Sequence, residues 1–302
     1  MLGISTCFFA RKKLSGEKIL QETENLGLEA LELEYRLSRE KFYEIKKGLK
    51  KYPLRVISLH NYCYRPRNIS LEEADADYYR LSSFNELERK RAVSLTQKTI
   101  ENAAEIGAKF VVLHLGDTGQ PKERNFFRSL DNLQKRSTSQ AKKKIDDYLK
   151  TRARLAEKFI NQIKKSLDPL LNLALRYKLK ICLENRYYSH QYPNFFELKE
   201  LLSFYNDKTL GFWLDTGHAY VQKLWGWPDL ADYLDTFSDR LYGCHLHDSV
   251  GSLDHQPPGK GEVNFNFLKK FKTNLPIILE IKSFHSTQDL KAGINLIQNI
   301  LK

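Results

Sequence analysis

Cysteine is scarce in this chain and never paired. Its four cysteines, Cys7, Cys63, Cys182 and Cys244, form no CxxC motif, and three of them sit inside apolar, strand-like runs. That pattern offers neither a disulfide framework nor a zinc-thiolate site, and it reads as small buried hydrophobes. Long hydrophobic runs are missing too. No segment approaches the roughly 20 apolar residues that a membrane helix needs. Residues Met1 to Ala10 lack the basic start, apolar core and small-residue cleavage site of a secretory signal, so a cytoplasmic location with no membrane partner is expected. Repeats, low-complexity tracts and Pro/Ser-rich linkers are also absent. The expectation is a single domain over residues 1–302.

What the chain has in excess is positive charge, +12 in formal terms. Such a balance suits nucleic acid or another anionic partner. The lysines, however, are spread along helical segments such as Lys142 to Lys144 and Lys164 to Lys165, as on solvated helix faces. Nucleic acid is therefore the less favoured partner, and a phosphorylated small substrate also suits the charge.

Short apolar runs alternate with longer amphipathic ones, the pattern of a parallel sheet with crossover helices. The strand candidates are Leu2 to Thr6, Ala30 to Tyr35, Leu54 to His60, Lys109 to Gly116, Lys178 to Asn185, Thr209 to Asp215, Arg240 to Asp248 and Pro276 to Ile281. Eight is the number that closes a barrel, and the length suits one of roughly 250 residues with insertions. The expected fold is α/β, a single (β/α)8 TIM barrel. Between them, helices are expected from a cap at Ser15 to Gly27 and from about Asn85 to Gly107, the latter with Val93, Leu95, Ile100, Ala103 and Ala104 available for its inner face. The charged helical region from about Leu130 to Tyr177 exceeds one crossover helix, which points to a helical insertion before strand five.

In a parallel barrel the chemistry lies at the C-terminal strand ends. His60 ends the third strand and His114 lies near the end of the fourth. Glu184 ends the fifth, and Asp215 ends the sixth with His218 three residues on. His245 and His247 end the seventh, His255 follows in its loop, and Glu280 ends the eighth. Each residue alone would read as an ordinary hydrogen-bonded position. Glu184, after Ile-Cys-Leu, and Glu280, after Ile-Ile-Leu, are nevertheless carboxylates on strands expected to be buried, where an unpaired charge is costly. Glu184, Asp215, His245 and Glu280 together make a hard mixed oxygen and nitrogen donor set that suits Mn²⁺, Mg²⁺, Co²⁺ or Zn²⁺.

The segments LGFWLDTGHAY, LYGCHLHDSVGSLDHQPPGKGEVNF and PIILEI, with LSSFNELERKRAVSLTQKTIENAAEIGAKFVVLHLG, resemble the xylose isomerase-like TIM barrels, in particular the sugar phosphate isomerases and epimerases. The likeness covers nearly the whole chain. It implies that Glu184, Asp215, His245 and Glu280 ligate a catalytic metal, and that Glu184 and Glu280 also act as the acid/base pair, one on each face of the substrate. The implied reaction is proton transfer next to a metal-polarised carbonyl through an enediolate. His218 and His247 would support the ligands or touch substrate, and Arg186 or Lys260 would contact a sugar or its phosphate. A homo-oligomer is compatible with this reading.

Endonuclease IV, an AP-site DNA repair nuclease of the same fold, is similar at His60, His114, Glu184, Asp215, His218, His245, His255 and Glu280, which match its zinc-cluster ligands. Its Asp-x-His pair reads Leu253-Asp254-His255 here, so an aspartate is missing at the expected spacing. The isomerase or epimerase reading is favoured, with the AP endonuclease as the alternative.

Overall fold

Strands of three to six residues, mostly buried along their length, build the centre of the molecule in the computed structural model, which describes residues 1–119, 139–270 and 275–302. They are β1 (Leu2–Ser5), β2 (Ala30–Leu33), β3 (Arg55–His60), β4 (Phe110–Leu113), β5 (Lys180–Glu184), β6 (Leu210–Asp215), β7 (Leu241–Leu246) and β10 (Ile277–Leu279). All eight pair in parallel and close in the order β1-β10-β7-β6-β5-β4-β3-β2. The fold is the expected (β/α)8 barrel. Between β7 and β10 the chain makes an antiparallel hairpin of β8 (Asp248–Val250) and β9 (Leu253–Gln256) over the barrel mouth.

Helices α1 (Gly16–Asn25), α2 (Arg39–Gly48), α3 (Glu86–Ile106), α4 (Ser139–Arg176), α5 (Phe195–Phe204), α6 (Thr216–Leu224), α7 (Leu230–Phe237) and α8 (Thr287–Leu301) accompany the strands. Ser15 caps α1 as expected, and Gly107 ends α3 with a φ of 81°, a left-handed turn that favours glycine. The region before β5 is one helix of 38 residues, with Pro169 inside it. The part of the expected insertion in residues 130–138 lies outside the described residues. No described helix is long and apolar enough to cross a membrane. Lys142 to Lys144 are exposed on α4, in keeping with a solvated face.

The inner face of α3 is more polar than its apolar pattern suggests. Ile100 and Ala103 are buried as expected, but so are Thr96, Thr99 and Asn102. Thr96 Oγ1 accepts from Asn61, Thr99 Oγ1 accepts from the Cys63 amide, and Asn102 donates to the Cys63 carbonyl. These bonds anchor the loop that leaves β3 just after His60.

Inside the barrel, Ala30, Ile57, Val112, Cys182, Trp213 and Ile278 form an apolar plug. Side chains along a strand alternate with a period of two, so the residue two further on faces the same way. Two residues beyond Ala30, Val112, Cys182, Trp213 and Ile278 stand Glu32, His114, Glu184, Asp215 and Glu280. An apolar layer thus carries a polar one directly above it, at the C-terminal mouth.

Candidate metal centre

Glu184, Asp215, His245 and Glu280 converge. One ligand-type atom from each lies within 4.8 Å of the other three, and all four residues are buried. Register explains part of this: Asp215 pairs with His245 across β6 and β7. His245 Nδ1 is 3.2 Å from Glu280 Oε2 and 3.4 Å from Glu184 Oε1, yet it makes no hydrogen bond among the described residues. A buried, unbonded nitrogen facing two carboxylates is a position that a cation fits. The electrostatics agree. Burial works against charge on His245, but Glu32, Glu280 and Glu184 outweigh it and hold the imidazole pKa well above its ordinary value. Burial likewise pushes the Glu184 carboxyl up, while His114 and His245 more than offset it and keep the carboxylate ionised.

Glu184 is the most heavily contacted of the four. His60 Nε2 and His114 Nε2 stand 3.1 and 3.0 Å from the same oxygen, Oε2. Asp215 accepts the His218 amide at 2.7 Å through Oδ1, capping α6, and Oδ2 faces His247 Nε2 at 3.0 Å. The His255 amide faces His247 Nδ1 at 2.9 Å, and although burial works against charge on the ring, Asp215 beside Nε2 raises the His247 pKa to about 9. His218, His247 and His255 form a second group of adjoining ligand-type atoms, and His60, Glu184 and His245 a third.

Leu253, where the nuclease pattern has aspartate, is 65 % exposed, and its neighbour Asp254 turns inward instead. Asp254 Oδ2 lies 3.8 Å from His218 Nε2 and 3.9 Å from His255 Nε2, while Oδ1 is paired with Lys282 at 2.7 Å. Burial lowers the His255 pKa to about 4 despite Asp254, so the ring is neutral and able to act as a ligand at pH 7.

Of the two expected substrate contacts, Arg186 lines the mouth cavity and pairs with Asp77 at 2.9 Å. Lys260 is not among the residues lining that cavity; it pairs with Asp289 of α8 at 2.7 Å. Its loop is tied to the protein, because the Asp248 carboxylate accepts from the amides of Gly259, Gly261 and Val263. The cavity has a volume of about 340 Å³ and is walled by Tyr35, His114, Arg186, Tyr187, His255 and Lys282, among others, with Glu184 and Glu280 at its floor.

The second strand also reaches the site, with residues that the strand-end pattern does not single out. Glu32, Glu34 and Arg36 all lie near the site, and burial raises the Glu34 pKa to about 7 in spite of Arg36. The signal was present: ALELEY places two carboxylates two residues apart in an apolar run, so they share one face.

A closed parallel barrel with a carboxylate and histidine cluster at its C-terminal mouth defines the class. The chain belongs to the xylose isomerase-like TIM barrel family, whose model matches residues 20–300. It is 29 % identical over 227 residues to the uncharacterized protein MJ1614 of Methanocaldococcus jannaschii, covering 74 % of this chain and 73 % of that one. Among solved structures, D-psicose 3-epimerase with D-tagatose from Clostridium cellulolyticum H10 superposes with a TM-score of 0.71 at 11 % identity, covering 100 % of this chain and 99 % of the other. A D-tagatose 3-epimerase-like protein gives 0.68 at 20 % identity, over 99 % and 96 %. The IOLI protein with a zinc atom gives 0.68 at 12 %, over 99 % and 97 %. At these identities the structural likeness establishes the fold.

Proposed function

We propose that the protein is a divalent-metal-dependent isomerase or epimerase acting on a sugar or sugar phosphate. The observation that carries the proposal is the convergence of Glu184, Asp215, His245 and Glu280 around the unbonded His245 Nδ1. These four residues would hold the ion, with Mn²⁺, Zn²⁺, Co²⁺ and Mg²⁺ all compatible with the donor set. When bound, it would polarise a substrate carbonyl and so acidify the neighbouring C–H. Glu184 and Glu280, at the floor of the cavity, are the pair that takes the proton from that carbon and returns it. His60 and His114 hold Glu184 in place through Oε2. Arg186 is a wall residue that orients substrate hydroxyl or phosphate oxygens. The sugar-epimerase neighbours support a small-molecule substrate, and a cavity of about 340 Å³ is of the size that takes one.

The alternative reading is an endonuclease IV-like nuclease with a zinc cluster. The three adjoining ligand groups favour it, as does the inward turn of Asp254. Against it, Lys282 already neutralises Asp254. Metal analysis of protein purified without added metal separates the two, with one equivalent expected and three zinc ions supporting the nuclease. A ketose and ketose phosphate panel scored by solvent-deuterium incorporation tests the reaction itself. A full panel without exchange, on metal-replete protein, would overturn the proposal.

A further inference from the structure

One carboxylate at the centre of the barrel belongs to none of the converging ligand groups. Glu32 of β2 is fully buried. Its two oxygens lie 3.0 and 2.9 Å from His245 Nε2, and Oε2 also accepts from Ser58 Oγ at 2.8 Å. Glu32 therefore stands on the edge of the His245 ring opposite the metal-facing edge, where Nδ1 looks at Glu184 and Glu280. It contacts the ligand histidine from behind.

A histidine coordinates through a lone pair, so one ring nitrogen must be bare, and the hydrogen bond made by the other decides which. Both Glu32 oxygens face Nε2, and Oε2 accepts from the Ser58 hydroxyl, so the carboxyl group stands as the acceptor for the ring N–H. Nε2 must then carry the proton, and Nδ1 is left for the ion. A buried carboxylate is expensive, and packing alone would be served by an apolar side chain at this inward position. The charge is explained if its work is to orient and polarise the imidazole. We infer that Glu32 is a positioning residue of the metal centre. The Ser58–Glu32–His245 chain sets the His245 tautomer and ring angle so that Nδ1 is the coordinating atom, and it strengthens that nitrogen as a donor. This inference rests on the metal-centre reading above.

The test is divalent-ion affinity of the full chain, measured for Mn²⁺ and Zn²⁺ by chelator competition, beside the melting temperature of the metal-free protein. Glu32→Ala removes the acceptor and is expected to weaken binding by about 10- to 100-fold. Glu32→Gln keeps the volume and an acceptor oxygen but not the charge, and should recover part of that loss. Nitrogen-labelled histidine NMR of the Zn²⁺-loaded wild type should show His245 protonated at Nε2, with that proton exchanging faster in Glu32→Ala. Because Glu32→Gln is isosteric, it remains informative if Glu32→Ala fails to fold. Unchanged ion affinity in Glu32→Gln together with a lowered metal-free melting temperature would make Glu32 a structural residue and overturn the inference. Coordination through Nε2 in the NMR experiment would overturn it as well. A wild type that binds neither ion overturns the metal centre, and this inference with it. A wild type that binds, with variants that bind equally well, overturns the Glu32 assignment alone.

Discussion

Asp215 Oδ2 lies 3.0 Å from His247 Nε2. This contact gives Asp215 a second partner besides the His218 amide, and both partners are buried with it. Its removal is therefore felt outside any ion it holds. Asp215→Ala should strip the metal and also lose the α6 cap, worth about 1 kcal/mol, leaving His247 without its acceptor. Asp215→Asn keeps a capping oxygen and should retain more of the metal-free stability while still weakening the ion. Thermal melts of the two metal-free variants check this. Equal melting temperatures would show that the cap and the His247 contact contribute nothing.

The two glutamates should separate binding from proton transfer. In Glu184→Gln an amide oxygen can still coordinate weakly, but the side chain no longer accepts a proton at neutral pH. Substrate exchange is expected to fall by about 100-fold or more, and metal occupancy by less. Glu280→Gln should behave alike. Full exchange in both variants would remove them from the acid/base role.

Glu34 makes stability depend on pH. Its carboxyl rises from an ordinary 4.5 to about 7 in the folded chain because burial disfavours the anion. Between those values the folded state binds more protons than the unfolded one, so this group's contribution to stability falls as pH rises from about 4.5 to 7 and levels off above. The stability difference between wild type and Glu34→Gln should therefore move against the wild type by roughly 3 kcal/mol over that window. Denaturant titrations at both ends measure it, and a constant difference would contradict the buried, raised carboxyl.

Gly217, in the LDTGH segment, has no room for a side chain. A Cβ there would overlap the His247 ring, which is held between Asp215 and His255. Gly217→Ala should push His247 out of place and reduce turnover by about 100-fold, as ångström-scale misplacements do. Wild-type turnover in this variant would show that the His247 position is not needed.

The nuclease alternative has its own signature. Grip on a duplex backbone weakens steeply with salt, by about 0.9 log units per phosphate contact for each log unit of salt. Weak, sequence-independent DNA binding and no incision of an abasic duplex are expected. Robust incision by wild type, lost in His114→Ala and His255→Ala, would reverse the ranking.

Much of this was legible in the chain. Eight apolar runs at strand length, separated by capped amphipathic helices, specify a parallel barrel because local periodicity and capping are short-range properties. A period of two also carries Glu184, Asp215 and Glu280 to the face above the apolar plug, so they could be read as a converging set. The second strand was harder. Glu32 and Glu34 share an inward face by the same rule, but only the closed barrel brings Glu32 behind His245, 213 residues along the chain. The hairpin of β8 and β9 decided the rest. Whether residue 253 or 254 points inward depends on its register, and the exposure of Leu253 beside a half-buried Asp254 follows from how the hairpin lies on the mouth. Likewise Lys260, a candidate substrate contact in the sequence, pairs with Asp289 on a loop anchored on Asp248. Alternation along a strand is set by neighbouring residues. The meeting of groups from different strands and loops is set by barrel closure and loop anchoring, which only the tertiary structure supplies.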